Sequence, residues 1–255
     1  MPQPSDGLVT VEARPQPIEI DTARTAVLVI DMTNDFSAPG GMFHRAGIDI
    51  SAILEVVEPT RRVLSAARRA GIPIIYLRQA HSADLSDAGG DDSPHAIKHR
   101  PLSIGEPVTA PDGRPSRILV DGTWNTAILA ELAPAEDDIV IVKRRYSGFF
   151  ETDLDATLEK LGTRHLVVTG CTTSICVDST VRDAMFRDYR CIVLEDCTAE
   201  PIGADLPRTN HEATLLSIEM LFGWVSTSTQ VIEAWERGRT ADVWHAHPER
   251  RDPAR

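Results

Sequence analysis

Three side chains in this sequence are of the types that acyl-transfer chemistry needs, and each closes or follows an apolar run. Asp31 ends Thr25-Ala-Val-Leu-Val-Ile-Asp31, and Lys143 ends Ile139-Val-Ile-Val-Lys143. Cys176 follows Leu166-Val-Val-Thr-Gly170 after a Thr-rich turn. A carboxylate can move protons, a thiol can attack a carbonyl carbon, and an ammonium can hold the two in register. Together they are the inventory of a cysteine amidohydrolase. Taken singly, each is weak. An Asp at a strand end equally suits a metal ligand, a phosphoryl acceptor or a helix cap. Lys143-Arg-Arg145 suits a solvated basic patch, and a lone cysteine is most often a buried structural residue. The conjunction carries the weight, because three different core strands would bring the three to one sheet edge.

The local order around Cys176 sharpens this. Gly170-Cys-Thr-Thr-Ser-Ile-Cys176 leads into Val177-Asp-Ser-Thr-Val-Arg-Asp-Ala-Met-Phe186, which reads as a helix. A thiol in the first helical turn faces unpaired N–H groups and the positive end of the dipole. Both favour thiolate, and a nearby Lys143 would favour it further. Loss of Asp31 as base is then expected to leave Cys176 much less reactive toward alkylating agents.

The elements that must position these residues are legible as alternating runs. Strands are expected at Ala26–Ile30, Pro73–Leu77, Asp138–Val142, His165–Thr169 and Cys191–Leu194. Helices are expected near Glu58–Ala70, Asn125–Leu132, Thr152–Leu161, Val177–Arg187, Thr209–Leu221 and Gln230–Arg237. Short, doubly apolar strands alternating with helices indicate an α/β fold, a three-layer αβα sandwich around a mainly parallel sheet. Residues 1–20 are Pro-rich and read as an arm, 21–238 as one domain, and 239–255 as a polar tail. Residues 78–121 lack a clear period and are rich in Gly, Pro, Asp and Ser. They leave the carboxyl end of a strand, where open α/β sheets bind ligands, and read as a substrate-facing lid or insertion.

Composition removes other classes. At 255 residues the chain suits one large domain with a full core. Its formal charge of -12 disfavours nucleic acid and anionic membranes as partners. No run approaches the ~20 apolar residues of a membrane span, and the first residues lack signal-peptide features, so a cytoplasmic protein is expected. The cysteines Cys171, Cys176, Cys191 and Cys197 match neither a disulfide framework nor a zinc pattern. All but Cys176 are expected to behave as small buried hydrophobes.

Val29-Ile-Asp-Met-Thr-Asn-Asp-Phe36, Lys143-Arg-Arg-Tyr-Ser-Gly-Phe-Phe150 and Thr169-Gly-Cys-Thr-Thr-Ser-Ile-Cys-Val177 resemble the three signature blocks of the isochorismatase-like cysteine hydrolases. The resemblance covers roughly residues 22–236. Pro39-Gly-Gly41, Ala88-Gly-Gly90, Ser93-Pro94 and Phe222-Gly-Trp-Val-Ser226 are most similar to the branch that hydrolyses ureidoacrylate, with biuret and carbamoylsarcosine hydrolases close. Arg78-Gln-Ala-His81 departs from that branch, which has an Asn and a Trp in the pocket there.

The resemblance implies a Rossmann-like fold and an amidohydrolase acting on a small amide, ureide or carbamoyl compound. It implies Asp31 as base, Lys143 as the group holding the pair, and Cys176 as nucleophile. The backbone N–H groups of Thr172 and Cys176 would form an oxyanion hole, with a cis peptide before Thr172. Asn34, Phe36, Gln79, His81, Tyr146 and Phe149 would line the pocket. No cofactor is expected. Nor is a metal expected, since His44, His81, His95 and His99 show no Asp-x-His spacing where metal-binding relatives have one. A homodimer or homotetramer is implied, with Phe222-Gly-Trp224 suited to subunit contacts. Hydrolysis of a lactam or aryl amide, or a non-catalytic binding role on the same fold, are the alternatives.

Overall fold

The computed structural model describes residues 7–246, with side chains described as far as residue 238. Six strands form the central sheet: β3 (Thr25–Ile30), β4 (Ile74–Gln79), β7 (Ile139–Lys143), β8 (His165–Cys171), β9 (Arg190–Ala199) and β10 (Trp224–Ser226). Their order is β10-β9-β8-β3-β4-β7, and every neighbouring pair is parallel. β1 (Leu8–Val11) and β2 (Ile18–Asp21) form an antiparallel hairpin, as do β5 (Pro107–Thr109) and β6 (Pro115–Arg117).

Two-residue periodicity divides β3, β4, β8 and β9 between two cores. Val27 and Val29 of β3, Ile74 and Tyr76 of β4, and Ile192 and Leu194 of β9 pack on one face with the helices Val57–Arg69 and Ser228–Ala246. Ala26, Leu28 and Ile30, with Ile75, Leu77 and Val193, pack on the other with Leu154, Leu158, Val177 and Val181. Both faces are therefore covered, as three-layer packing of a parallel sheet requires.

Several expectations need correction. The Pro-rich start is not an irregular arm beyond residue 7. Val9, Val11, Ile18 and Ile20 alternate inward and bury against the first core, pairing β1 with β2. Residues 1–6 and 247–255 lie outside the described residues, while 239–246 extend the last helix rather than begin a tail. The expected helix over Asn125–Leu132 is absent. Two short 3-10 turns, Trp124–Thr126 and Ala130–Leu132, flank an extended pairing of Ile128 with Thr33. Asn125 is drawn away by Asp35 (2.5 Å) and Ser116 (2.5 Å), and Leu129 N donates to Met32 O at 3.0 Å. These tertiary bonds override a weak local helical preference.

Asp35 explains this corner. Its fully buried carboxylate accepts from Met42 N (3.0 Å), Leu119 N (2.7 Å) and Asn125 Nδ2. Burial raises its pKa to about 6 from 3.8 even though these donors oppose the shift. The proton is held more tightly in the folded chain than in the unfolded one. Its stabilising contribution is therefore full below pH 3.8 and lost as pH rises through about 6. Asp35→Asn, which cannot titrate, should gain on wild type by up to about 3 kcal/mol between about pH 4 and about pH 7. Urea unfolding at both pH values checks this, and a pH-independent difference would refute it.

Candidate active site

Four adjacent strand ends, those of β8, β3, β4 and β7, assemble the site. β3 delivers Asp31, whose N–H donates to Leu77 O at 2.8 Å. Asp31 has φ +53°, a left-handed conformation that short polar side chains tolerate. Its Oδ1 accepts from the backbone N–H of Gln79 at 2.7 Å, which fixes the carboxylate's direction. Lys143 closes β7, in register with Gln79 of β4.

The Lys143 ammonium is the hub. Nζ lies 2.6 Å from Asp31 Oδ2 and 3.4 Å from Cys176 Sγ. It also donates to Arg145 O at 3.2 Å and Gln79 Oε1 at 3.4 Å. Asp31 and Lys143 have no solvent exposure, and Cys176 is buried. The three residues singled out first are thus brought together, in a dry setting where charges act strongly.

Cys176 arrives on a wide turn rather than a regular first helical turn. Val177 N–H donates to Thr172 O at 3.2 Å, five residues back, and the helix Asp178–Met185 follows. The Cys171–Thr172 peptide is cis, as expected. Gly170 permits the approach: at φ +114°, its Cβ would lie 2.0 Å from Ile30 O. The buried Glu200 carboxylate braces the turn, accepting from Ser174 N (2.9 Å), Ser174 Oγ (2.5 Å) and Ile202 N (3.0 Å). Thr180 Oγ1 donates to Cys176 O and accepts from Gly148 N, tying the nucleophile's helix to the turn after Lys143. Glu200→Ala should lower kcat by about 10–100-fold through misplaced Sγ, with KM little changed. Steady-state kinetics on the folded variant decide this, and an unchanged kcat would leave Glu200 a purely structural role.

The expectation of a resting thiolate is reversed. Burial is the largest influence on the Cys176 thiol and pushes its pKa well above the ordinary value. Lys143 pulls it down, but the Asp31 carboxylate pushes it further up. Burial also works to deprotonate Lys143, yet Asp31 and Cys176 outweigh it and hold the ammonium above its ordinary pKa. The thiol is thus held neutral beside the Lys143 ammonium.

Residues 78–121 are partly ordered and partly an excursion. His81 pairs beside Val120, with His81 N donating to Leu119 O (2.7 Å) and Asp121 N to His81 O (2.8 Å). The excursion between these close ends carries the helix Pro94–His99 and the β5–β6 hairpin. Asp87 fastens it: one carboxylate oxygen meets His81 Nδ1 (3.1 Å) and the other Arg144 Nε (2.5 Å), with Ser82 N donating to both. Arg145 Nη1 donates to Asp87 O at 3.0 Å. The rings of His95 and His99 lie against Tyr146, and His95 also against His81.

Of the pocket residues expected from sequence, Gln79, His81 and Tyr146 stand at the triad or its roof. The side chains of three others are engaged elsewhere. Asn34 Nδ2 donates to Trp124 O (2.7 Å), Phe36 packs edge-on to Phe43 in the first core, and Phe149 stacks on Tyr189 beneath Arg187. Sequence reasoning missed Asp87, Arg145 and Glu200. Sequence offers His95 and His99 only as metal-ligand candidates, although their i, i+4 spacing marks one helical face. Among the described residues, no group of three or more His, Cys, Asp or Glu is placed to hold a metal ion.

The isochorismatase domain family matches residues 25–230. Ureidoacrylate amidohydrolase RutB of Caulobacter segnis is 40% identical over 224 residues, covering 88% of this chain and 91% of that protein. Its counterpart in Rhizobium rhizogenes is 39% identical over 226 residues, covering 89% of each. A cysteine hydrolase from Pseudomonas syringae pv. phaseolicola superposes with TM-score 0.72 at 29% identity, covering 93% of this chain and all of that one. N-carbamoylsarcosine amidase from Thermoplasma acidophilum gives 0.59 at 27% identity, covering 80% and 96%.

Proposed function

Because the chain belongs to the isochorismatase family, we propose that it is a cysteine amidohydrolase cleaving the C–N bond of a small linear amide, ureide or carbamoyl compound. The observation that carries this is the buried ammonium lying 2.6 Å from the Asp31 carboxylate and 3.4 Å from the Cys176 sulfur. A neutral thiol needs a base at the moment of attack, and Asp31, held by the same ammonium, is the acceptor at hand. Sγ bonds to the carbonyl carbon as the thiol proton passes to Asp31. The Thr172 and Cys176 backbone N–H groups receive the developing oxyanion. The protonated Asp31 gives its proton to the nitrogen as the C–N bond breaks, leaving an S-acyl enzyme. Asp31 then takes a proton from water, whose oxygen bonds to the acyl carbon, and the sulfur leaves and is reprotonated. Lys143 keeps its proton throughout and holds carboxylate and sulfur in register.

The ureido and carbamoyl substrates of the named relatives make those compounds the first candidates. The experiment is ammonia release from ureidoacrylate, biuret, N-carbamoyl amino acids, nicotinamide and maleamate, with trapping of the S-acyl enzyme by mass spectrometry. Silence across this set with a readily alkylated Cys176 would turn the reading toward a lactam or aryl amide. The reading extends to a cytoplasmic protein without nucleic-acid or membrane partners, supported by its acidity and by four unpaired, buried cysteines. It also extends to a homodimer or homotetramer, supported by the exposed apolar side chains Phe186, Met220 and Leu221.

A further inference from the structure

Beside the thiol and under the roof, hydrogen-bonding capacity is left unused. Gln79 Oε1 faces Lys143 Nζ and lies 3.9 Å from Cys176 Sγ, while the Nε2 of the same amide is buried without a partner. His81, with no solvent exposure, gives Nδ1 to the Asp87 carboxylate, so its Nε2 carries a lone pair, and that atom too is buried and unpartnered. His95 Nε2, supplied by the helix Pro94–His99, is the third buried nitrogen without a partner. Leaving such groups unpaired is costly, so an arrangement that concentrates them beside a nucleophile is one a ligand completes.

We propose that His95 is a specificity-determining residue, brought over the site by the lid helix to read, with Gln79 and His81, a neutral amide unit on the substrate's far side. A free N–H of Gln79 suits a carbonyl oxygen, and the His81 lone pair suits an N–H. The unpartnered Nε2 of a neutral His95 supplies one further hydrogen bond to the same unit, as donor or acceptor according to the tautomer. The rings of His81, His95 and the adjoining His99 are neutral near physiological pH. Burial is the main influence lowering their pKa values, that of His95 to about 3, and the neighbouring cations Arg144, Arg145 and Lys143 act in the same direction. The inference rests on the amidohydrolase reading and narrows it. The preferred ureide carries a second, uncharged carbamoyl or amide group, as biuret does, rather than a carboxylate, as ureidoacrylate does.

The test compares biuret and ureidoacrylate in wild type, His95→Ala and His95→Gln. Wild type should prefer biuret by at least about tenfold in kcat/KM. His95→Ala should erase most of that preference, chiefly through KM for biuret, and His95→Gln should restore part of it. Alkylation of Cys176 by iodoacetamide should stay within about twofold of wild type, which a collapsed site would not allow. Equal losses on both substrates, or a wild-type preference for ureidoacrylate, overturn the proposal. Calorimetric binding to Cys176→Ala separates this from the reaction itself. A biuret preference that His95→Ala removes there, without hydrolysis by wild type, upholds the recognition and sinks the amidohydrolase reading. Equal affinity for both ligands sinks the recognition even if wild type turns both over.

Discussion

Cys176→Ala loses turnover by roughly 10⁴-fold or more on whichever amide the wild type cleaves, with the fold retained. The size follows from removing the atom that forms the covalent bond, since no other thiol can replace it. Cys171, the next nearest in sequence, is fully buried, its Sγ donating to Asp31 O at 3.3 Å. Stability should change little, because the methyl of alanine still packs against Val177 and Val181 and no charge is stranded. The check is paired: steady-state rates together with thermal unfolding. A variant that retains activity at unchanged stability removes the nucleophile assignment.

Asp31→Asn separates two things that a thiolate picture merges. Turnover should fall about 10³-fold, because the proton of the attacking thiol has lost its acceptor and the leaving nitrogen its donor. Alkylation of Cys176 near neutral pH should nevertheless hold steady or accelerate. In the wild type the carboxylate works against thiolate, and only Lys143 favours it. With that negative charge removed, the buried Lys143 ammonium has the sulfur as its remaining anionic partner. Sequence alone led to the opposite expectation, since it cast Asp31 as the base that draws the proton from the resting thiol. The pH profile of iodoacetamide alkylation in both proteins decides it. Alkylation falling in parallel with turnover would show that Asp31 draws the proton from the resting thiol.

The sheet and the triad were readable because their signals are local and categorical. β3, β7 and β8 each announce themselves as apolar runs, and Asp31, Lys143 and Cys176 sit at or just past their ends. β9 runs on to Ala199, beyond the expected Leu194, because its later residues pair with the end of β8 across an irregularity that no period marks. β10 is three residues long and held by its neighbour, so it carries no pattern of its own. The pocket was harder for a different reason. Whether Phe36 faces a substrate or the first core is decided by packing between segments far apart in sequence. The pKa of Cys176 is not legible in sequence because burial, the largest influence, comes from packing in the second core and not from the helix start. Asp87 and Glu200, each the anchor of a segment, read in sequence as ordinary acids among many.

The strand order sets the reach that the amine must have. Asp31 follows β3 and Lys143 ends β7, and β4 runs between them. Adjacent strands lie about 4.8 Å apart, so the two backbones are separated by about 10 Å. Only a long, unbranched side chain crosses a whole strand to meet a carboxylate on the other side. Arginine has the length, but its planar fork carries five donors that this narrow passage over Gln79 offers too few acceptors to satisfy. The sheet therefore works as a gauge: the number of strands between base and amine dictates which amino acid can complete the pair. Chemistry on this scaffold is free to vary in the roof, where loops set the contacts, and is dimensionally fixed below it.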